Sequence, residues 1–542
     1  MRNVFSVNLF LSGSRRMIAM LKTCVTSTGK FKVGLHRPNY KVRNLRDQNF
    51  LLRLGSLPDG SPIDNQTNFP HSDVEEQAGR WIYEIPNAFP FHGATYIDSG
   101  WAAARAADPS MIKVAPPPDC SLSQAFKGID EPKAMIRRLP LPLKYALAAN
   151  STDPAELMLL AKDCCRMEFD QDGEPSGLKY LRPGKADIDD FELFETIANN
   201  PHLPDRWKEV MVLRPGVQGG SEIVGRFTAD KTHVFEYLRR NSYIPWGHYA
   251  TNMAHNAVRY RTSDLSLTDM RGLRHLYYQR IIAVLAEQFS LRPELPQRSL
   301  TEEELENLRK QVLAAAEQSG QHPATLWGWN FGYDFSGSGC RLHASHQMIH
   351  QQYALTPEEV ETTDGGVMPS YSCGDQVAAA VEQYRQDCGN DFFRDYLRCI
   401  RENERPDRDP DKERSLIVHE DANVLLFAPK AQTSQWELQL MVIADTDGQP
   451  VGNVLEADAA VRQSIDQGIL LAQHIFAKLG ARMVTSVEYS KRVGIRNGQR
   501  LLYAFLPKLP WSMGAFSETQ HRYISSHFPE DFAAACRNCI ES

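Results

Sequence analysis

Residues 337–354 read GSGCRLHASHQMIHQQYA, with Gly337, Ser338 and Gly339 just ahead of three histidines, His343, His346 and His350. A glycine–serine turn presents successive backbone N–H groups, which form the kind of concavity that holds phosphate oxygens. If the chain beyond it is a strand, side chains alternate, so His343, Ser345 and Gln347 share one face and His346 points to the other. Counted alone, three histidines suggest a metal site. Read with the turn and the alternation, they suggest a phosphate-binding strand whose imidazoles could serve as nucleophile or base. Gln347 can hydrogen-bond a phosphate oxygen. His343 can activate Ser345 or attack directly, and a one-residue bulge would bring His346 into the pocket instead.

Several elements would have to position that stretch. ATLWGWNFGYDFSGSG (324–339) alternates aromatic and small or polar residues, predicting a strand that carries Asn330 and ends in the glycine turn. Trp327 and Trp329 within it are candidates for stacking on a base or for simple core packing. SLTDMRGLRHLYYQRIIAVLAEQF repeats apolar residues at three-to-four spacing and predicts a long helix. Thr301-x-x-Glu304 is a capping-box signature opening another helix, and Asp153-Pro154 opens one further upstream. HYATNMAHNAVRY, with His248 and His255, reads as a strand and turn. RENERPDRDPDKERS (401–415) is rich in charge and proline, with little to bury, and reads as a linker. Beyond it come the strands of SLIVHEDANVLLFAPKAQTSQWELQLMVIAD, the helix EADAAVRQSIDQGILLAQHIFAKLG, and the strands RMVTSVEYS and QRLLYAFLPKLP. The order strand–strand–helix–strand–strand therefore occurs twice, suggesting an internal duplication.

This order and its motifs resemble the histidine-triad superfamily, in its tandem branch containing galactose-1-phosphate uridylyltransferase and the dinucleoside polyphosphate and nucleotide-sugar phosphorylases. Pro245-Trp246-Gly247-His248, Asn330-Phe331-Gly332, FAPKAQTSQWEL (427–438) and AFLPKLP carry the resemblance, over roughly 225–355 and 415–540. It implies that the strand motif H-x-H-x-Q appears here as His343-Ala344-Ser345-His346-Gln347, with Ser345 where the family has its nucleophilic histidine. His343, Ser345 and His346 are then the catalytic candidates. Asn330, Gly337, Ser338, Gly339, Gln347 and His248 are the substrate-binding ones. Glu437 in QWEL resembles a family glutamate, with a solvated or capping role as the alternative. Arg239, Arg240, Arg259 and Arg261 are candidates for meeting phosphate or for ordinary surface charge. The second half has no histidine in its corresponding strand, GQRLLYAFLPKLP, and reads as degenerate.

The 542-residue chain exceeds the size of a single core, and its 42% hydrophobic and 23% charged residues are ordinary for a globular protein. A net charge of −7, spread along the chain, argues against a nucleic-acid partner. No run of 18 apolar residues occurs, so no membrane span is expected. The ten cysteines lack a framework spacing and read as reduced thiols of a cytoplasmic protein. Cys536-x-x-Cys539 is the one metal-like pair; no structural zinc is expected, and a divalent metal accompanying the nucleotide stays open. The opening residues read as an apolar patch that is either a misassigned start before Met17 or Met20 or a signal peptide.

The fold expected is α+β: an N-terminal region of uncertain fold (1–220) partly packed on a first histidine-triad-like unit (221–400), the linker (401–415), and a second, degenerate unit (416–542). Each unit would hold an antiparallel sheet and a long helix. The function expected is a nucleotidyltransferase or phosphorylase acting on a nucleotide sugar or dinucleoside polyphosphate. A nucleotide-binding or scaffold protein without the nucleophile, and a hydrolase or lyase of nucleotide conjugates, are the alternatives; a homodimer stays open.

Overall fold

The computed structural model describes residues 22–211, 262–332 and 349–541, apart from short stretches within them. Helices and strands are mixed along the chain with mostly antiparallel pairing, which is the α+β class the patterning predicts. No helix among the described residues is long and apolar enough to cross a membrane.

The N-terminal region supplies β1 (Gly34–His36), β2 (Ile82–Pro86) and β3 (Ala94–Asp98), followed by α1 (Ser99–Ala107). Asp98 caps α1 by accepting from the backbone N–H groups of Gly100 and Trp101. Farther on, α2 (Pro154–Cys164) opens with Asp153 as its cap, as the sequence predicts, and α3 (Phe191–Asn199) packs near it. Around these two helices Leu157, Leu160, Ile197 and Trp207 bury a core of their own.

The next elements are α4 (Leu267–Gln288), α5 (Glu302–Ser319), β4 (Ala324–Gly332), β5 (Ile349–Thr356), α6 (Cys373–Cys388) and α7 (Phe392–Arg401). Then come β6 (Ile417–Glu420), β7 (Val424–Phe427), β8 (Leu438–Val442), α8 (Ala459–Lys478), β9 (Met483–Tyr489), β10 (Leu502–Pro507), β11 (Arg522–Ser525) and α9 (Pro529–Glu541). The Thr301–Glu304 capping box forms at the head of α5, each side chain meeting the other residue's backbone N–H.

Seven strands form one sheet in the order β5-β4-β9-β10-β8-β7-β6, every neighbour antiparallel. The patterning predicts a sheet in each half, whereas the described strands of both halves share this one. The seam is β4 against β9, in register from Gly328 opposite Val487 to Gly332 opposite Met483. Each of these strands would otherwise leave a row of unpaired backbone groups at an edge, and joining them satisfies both rows. Helices α4 and α8 cover one face of the joined sheet, with Tyr277, Ile281, Ile465 and Ile469 packed over Trp327, Trp329 and Tyr503.

WIYEIPNAFPFHGATYID (81–98) supplies β2 and β3 of a separate sheet in the order β1-β2-β3-β11. Its free edge, β3, is taken in parallel by β11 from the far end of the chain, with Ala94 opposite Arg522. This small sheet docks on the other half's FAPKAQTSQWEL segment. Thr95 Oγ1 donates to the Gln432 carbonyl (2.8 Å) and accepts from the Gln432 N–H (2.7 Å), and Asn87 Nδ2 donates to the Ala431 carbonyl (3.3 Å).

The 401–415 run is tied down in the structure. Arg405 is buried and pairs with Asp407 (3.0 Å) and with Asp531 (2.7 Å) at the start of α9. Asn403 Nδ2 donates to Glu530 (2.8 Å), which also pairs with buried Lys430. Acidic residues suit a helix N-terminus, and here their excess charge is what holds the arginine and lysine.

Candidate functional site

Strands β4 and β5 bracket residues 333–348 in the chain. Phe331 lies opposite Ile349 in the antiparallel pairing, so the strand ends that flank residues 333–348 in the chain lie at the same end of the sheet. Gly337, Ser338, Gly339, His343, Ser345, His346 and Gln347 fall in that segment and lie outside the described residues. So do His248, His255, Arg239, Arg240, Arg259 and Arg261. Of the candidates, Asn330 is described. It sits on β4 one residue before the aromatic Phe331, on the face turned away from the helices, and its Oδ1 accepts from Thr485 Oγ1 at 2.6 Å. The same register places Asn330 opposite His350 on β5.

Alternation builds two different faces. On β4, Trp327, Trp329 and Phe331 are buried under the helices, while Leu326, Gly328 and Asn330 are half-buried on the other side. Thr485 and Val487 on β9 share that second face and are also half-buried, and Gln352 and Ala354 on β5 are exposed. The sheet thus offers a surface of small and polar side chains at the end where 333–348 begins. An amide and a hydroxyl already bonded to each other stand at its rim.

Gly332 fixes how the chain leaves β4. Its φ is +96°, and a Cβ added there would stand 2.0 Å from the Arg482 carbonyl oxygen and 2.8 Å from Thr262 Cγ2. Thr262 is itself held by its Oγ1 donating to the Ala481 carbonyl (3.2 Å). Gly332→Ala therefore meets both a left-handed backbone and a collision with main chain, and is expected to cost roughly 1–3 kcal/mol of stability. A urea titration followed by circular dichroism would read it, and a midpoint unchanged from the parent would contradict the account.

The covered face of the sheet holds a buried polar network that bridges both helices and three strands. Arg274 of α4 has a fully buried side chain. Its Nε donates to Asp466 Oδ1 of α8 (3.2 Å), its Nη2 donates to Tyr503 of β10 (2.8 Å), and Glu488 of β9 lies 3.8 Å away. Tyr277 and Tyr503 donate to the two oxygens of Glu488 at 2.8 and 2.6 Å, and Tyr278 donates to Asp466 at 2.7 Å. Thr325 of β4 also reaches Glu488 (3.2 Å). The guanidinium lies over Trp327 at 4.5 Å from its ring centroid. Burial opposes the Arg274 charge, but Tyr278, Tyr503, Asp466 and Glu488 outweigh it and hold the group charged, its pKa raised. Burial pushes Asp466 up to about 6 against the pull of Arg274, and pushes Glu488 up as well. These side chains hold β4, β9 and β10 in register.

No protein-family model matches the chain, and no curated protein matches it. Solved structures similar to it include a galt-like protein from Arabidopsis thaliana, at 13% identity and a TM-score of 0.33, covering 51% of this chain and 71% of that one. An ADP-glucose phosphorylase from Arabidopsis thaliana, solved with ADP-glucose bound, matches at 15% identity and a TM-score of 0.32, covering 51% and 68%. A uridylyltransferase mutant matches at 13% identity and a TM-score of 0.33, covering 52% and 73%.

Other residues singled out by the sequence have plain placements. Trp327 and Trp329 are core, their Nε1 groups donating to Gln351 (2.9 Å) and Ser486 (3.0 Å). Glu437 is buried and closes a turn, accepting from the Thr433 N–H (2.6 Å), the Thr433 hydroxyl (2.9 Å) and Gln439 Nε2 (2.7 Å). Cys536 is buried in the core on α9, and no cluster of three or more His, Cys, Asp or Glu able to hold a metal occurs among the described residues. Sequence reasoning passed over Arg274, Asp466, Glu488 and Thr485. One signal was present: Arg274 is a charge lying within the apolar stripe of Met270, Leu273, Tyr277 and Ile281 on its helix.

Proposed function

We propose that the chain moves a nucleoside monophosphate between phosphate-bearing partners, as a nucleotidyltransferase or phosphorylase acting on a nucleotide sugar or dinucleoside polyphosphate. The observation that carries this is the pairing of β4 with β5. It brings Phe331 and Ile349, which flank the Gly/Ser–His segment in the chain, together at one end of the sheet, beside the Asn330–Thr485 pair. In this reading the N–H groups of Gly337, Ser338 and Gly339 receive phosphate oxygens, assisted by Gln347, Asn330 and His248. A neutral imidazole, from His343 or from His346, attacks the α-phosphorus. The bond from phosphorus to the leaving phosphate oxygen breaks as the phosphorus–nitrogen bond forms, and an incoming phosphate oxygen then displaces the imidazole. Alternatively His343 takes the Ser345 proton and the serine oxygen attacks.

A second reading, a nucleotide-binding scaffold, is favoured by Ser345 itself, because a serine stands where a nucleophilic imidazole is wanted. One experiment separates the two. The purified protein is incubated with nucleotide sugars and dinucleoside polyphosphates labelled at the α-phosphate, and acid-labile label on the protein is counted. Label and turnover should fall by at least about 10²-fold in His343→Ala and persist in Ser345→Ala. Saturable nucleotide binding with neither label nor turnover would overturn the transferase reading in favour of the scaffold.

A further inference from the structure

A cleft of ≈ 550 Å³ opens where α8 ends, between that helix, the last turn of α9 and residues 262–263 and 480–482. Leu471, Ile475 and Ile540 give it apolar walls, and Lys478, Arg482 and His474 give it polar ones; among the described residues no carboxylate belongs to its lining. Its size falls within the range of small-molecule pockets, roughly 300–1,000 Å³. Two of the three basic groups are anchored by backbone. Lys478 Nζ donates to the Cys539 carbonyl (2.7 Å), and His474 Nε2 donates to the Leu265 carbonyl (2.9 Å). Arg482 is exposed and makes no hydrogen bond or ion pair with any described residue.

The balance of charge decides which ligand suits the cleft. The C-terminal ends of α8 and α9 converge here, each worth roughly half a negative charge. Against them stand the full charges of Lys478 and Arg482, leaving about one positive charge. A cation is therefore disfavoured and a single anionic head is matched, while the aliphatic walls ask for an apolar body. The cleft shares Thr262 and Arg482 with the contact that fixes Gly332, so it abuts the end of β4.

We propose that this cleft is a small-molecule site which takes an amphipathic monoanion such as a medium-chain carboxylate. The head pairs with Arg482 and the Lys478 ammonium, and the chain lies along Leu471, Ile475 and Ile540. Isothermal titration of the full chain with decanoate, decylammonium and inorganic phosphate tests it. Decanoate should bind once per chain, with decylammonium and phosphate each at least tenfold weaker. Arg482→Glu, a surface change that should leave the melting temperature unaltered, should weaken decanoate at least tenfold, and Ala477→Trp, which fills the cleft, should abolish its binding. The proposal is overturned if decanoate gives no saturable binding, if decylammonium binds equally well, or if both variants bind decanoate as the parent does.

Discussion

Arg274→Met is expected to lower the unfolding free energy by about 3–5 kcal/mol, the cost of breaking a buried ion pair from one side. The guanidinium neutralises two acidic groups on different elements, Asp466 on α8 and Glu488 on β9, and both are buried. Methionine fills much of the volume but leaves both carboxyls without their cation. Tyr278, Tyr277 and Tyr503 still donate to them, which softens the loss without removing it. The change also removes the stacking over Trp327. Urea titration followed by tryptophan fluorescence reads the effect directly, since Trp327 and Trp329 line this region. The triple variant Arg274→Met/Asp466→Asn/Glu488→Gln should recover part of the stability, because no charge is then stranded. A loss below about 1 kcal/mol in the single variant would mean that the network is not ionised as described.

Lowering the pH from 7 to 5 should weaken the docking of the small sheet through two histidines. Burial, and then the neighbouring His521, push His92 down to about 4; burial, and then Arg105, push His527 down to about 3. The unfolded chain protonates both near pH 6.5, whereas the folded chain keeps them neutral. Their contribution is therefore complete above pH 6.5 and is lost as the pH falls toward the folded values. At pH 5 this amounts to about 2 kcal/mol for each, at ~1.4 kcal/mol per pH unit. Asp466 acts in the opposite sense. Its raised folded pKa means that its contribution is present below about pH 4 and lost as the pH rises through about 6, so acidification partly offsets the histidines. The measurement is accordingly a difference between proteins. His92→Gln and His527→Gln should each lose less stability than the parent between pH 7 and 5, by about 2 kcal/mol. Equal pH dependence in parent and variants would refute the assignment. His92 also meets Tyr489 of β9 (3.3 Å), so its protonation would be felt at the large sheet.

Much of this architecture was legible in local pattern. The three-to-four spacing of α4 and α8, the Thr301–Glu304 capping box and the alternation of ATLWGWNFG depend on residues within a turn or two of each other. The chemistry proposed for residues 337–347 was likewise a matter of residue type and period, and so was the placing of Asn330 at the end of a strand. None of these readings needed to know what lay across the fold.

The tertiary structure decided who meets whom. The partner of Asn330 is Thr485, 155 positions away, and the two share a hydrogen bond because β4 chose β9 as its neighbour. Strand β11 closes the N-terminal sheet from the other end of the chain, and the 401–415 run, all charge and proline locally, is pinned by Asp531 and Glu530. The two acids that surround Arg274 come from distant elements, α8 and β9. Periodicity and capping are short-range, because they follow from the geometry of one helix or strand. Pairing between elements follows from which buried faces, strand edges and charges find partners, a long-range competition in which each element's local sequence names only its own needs.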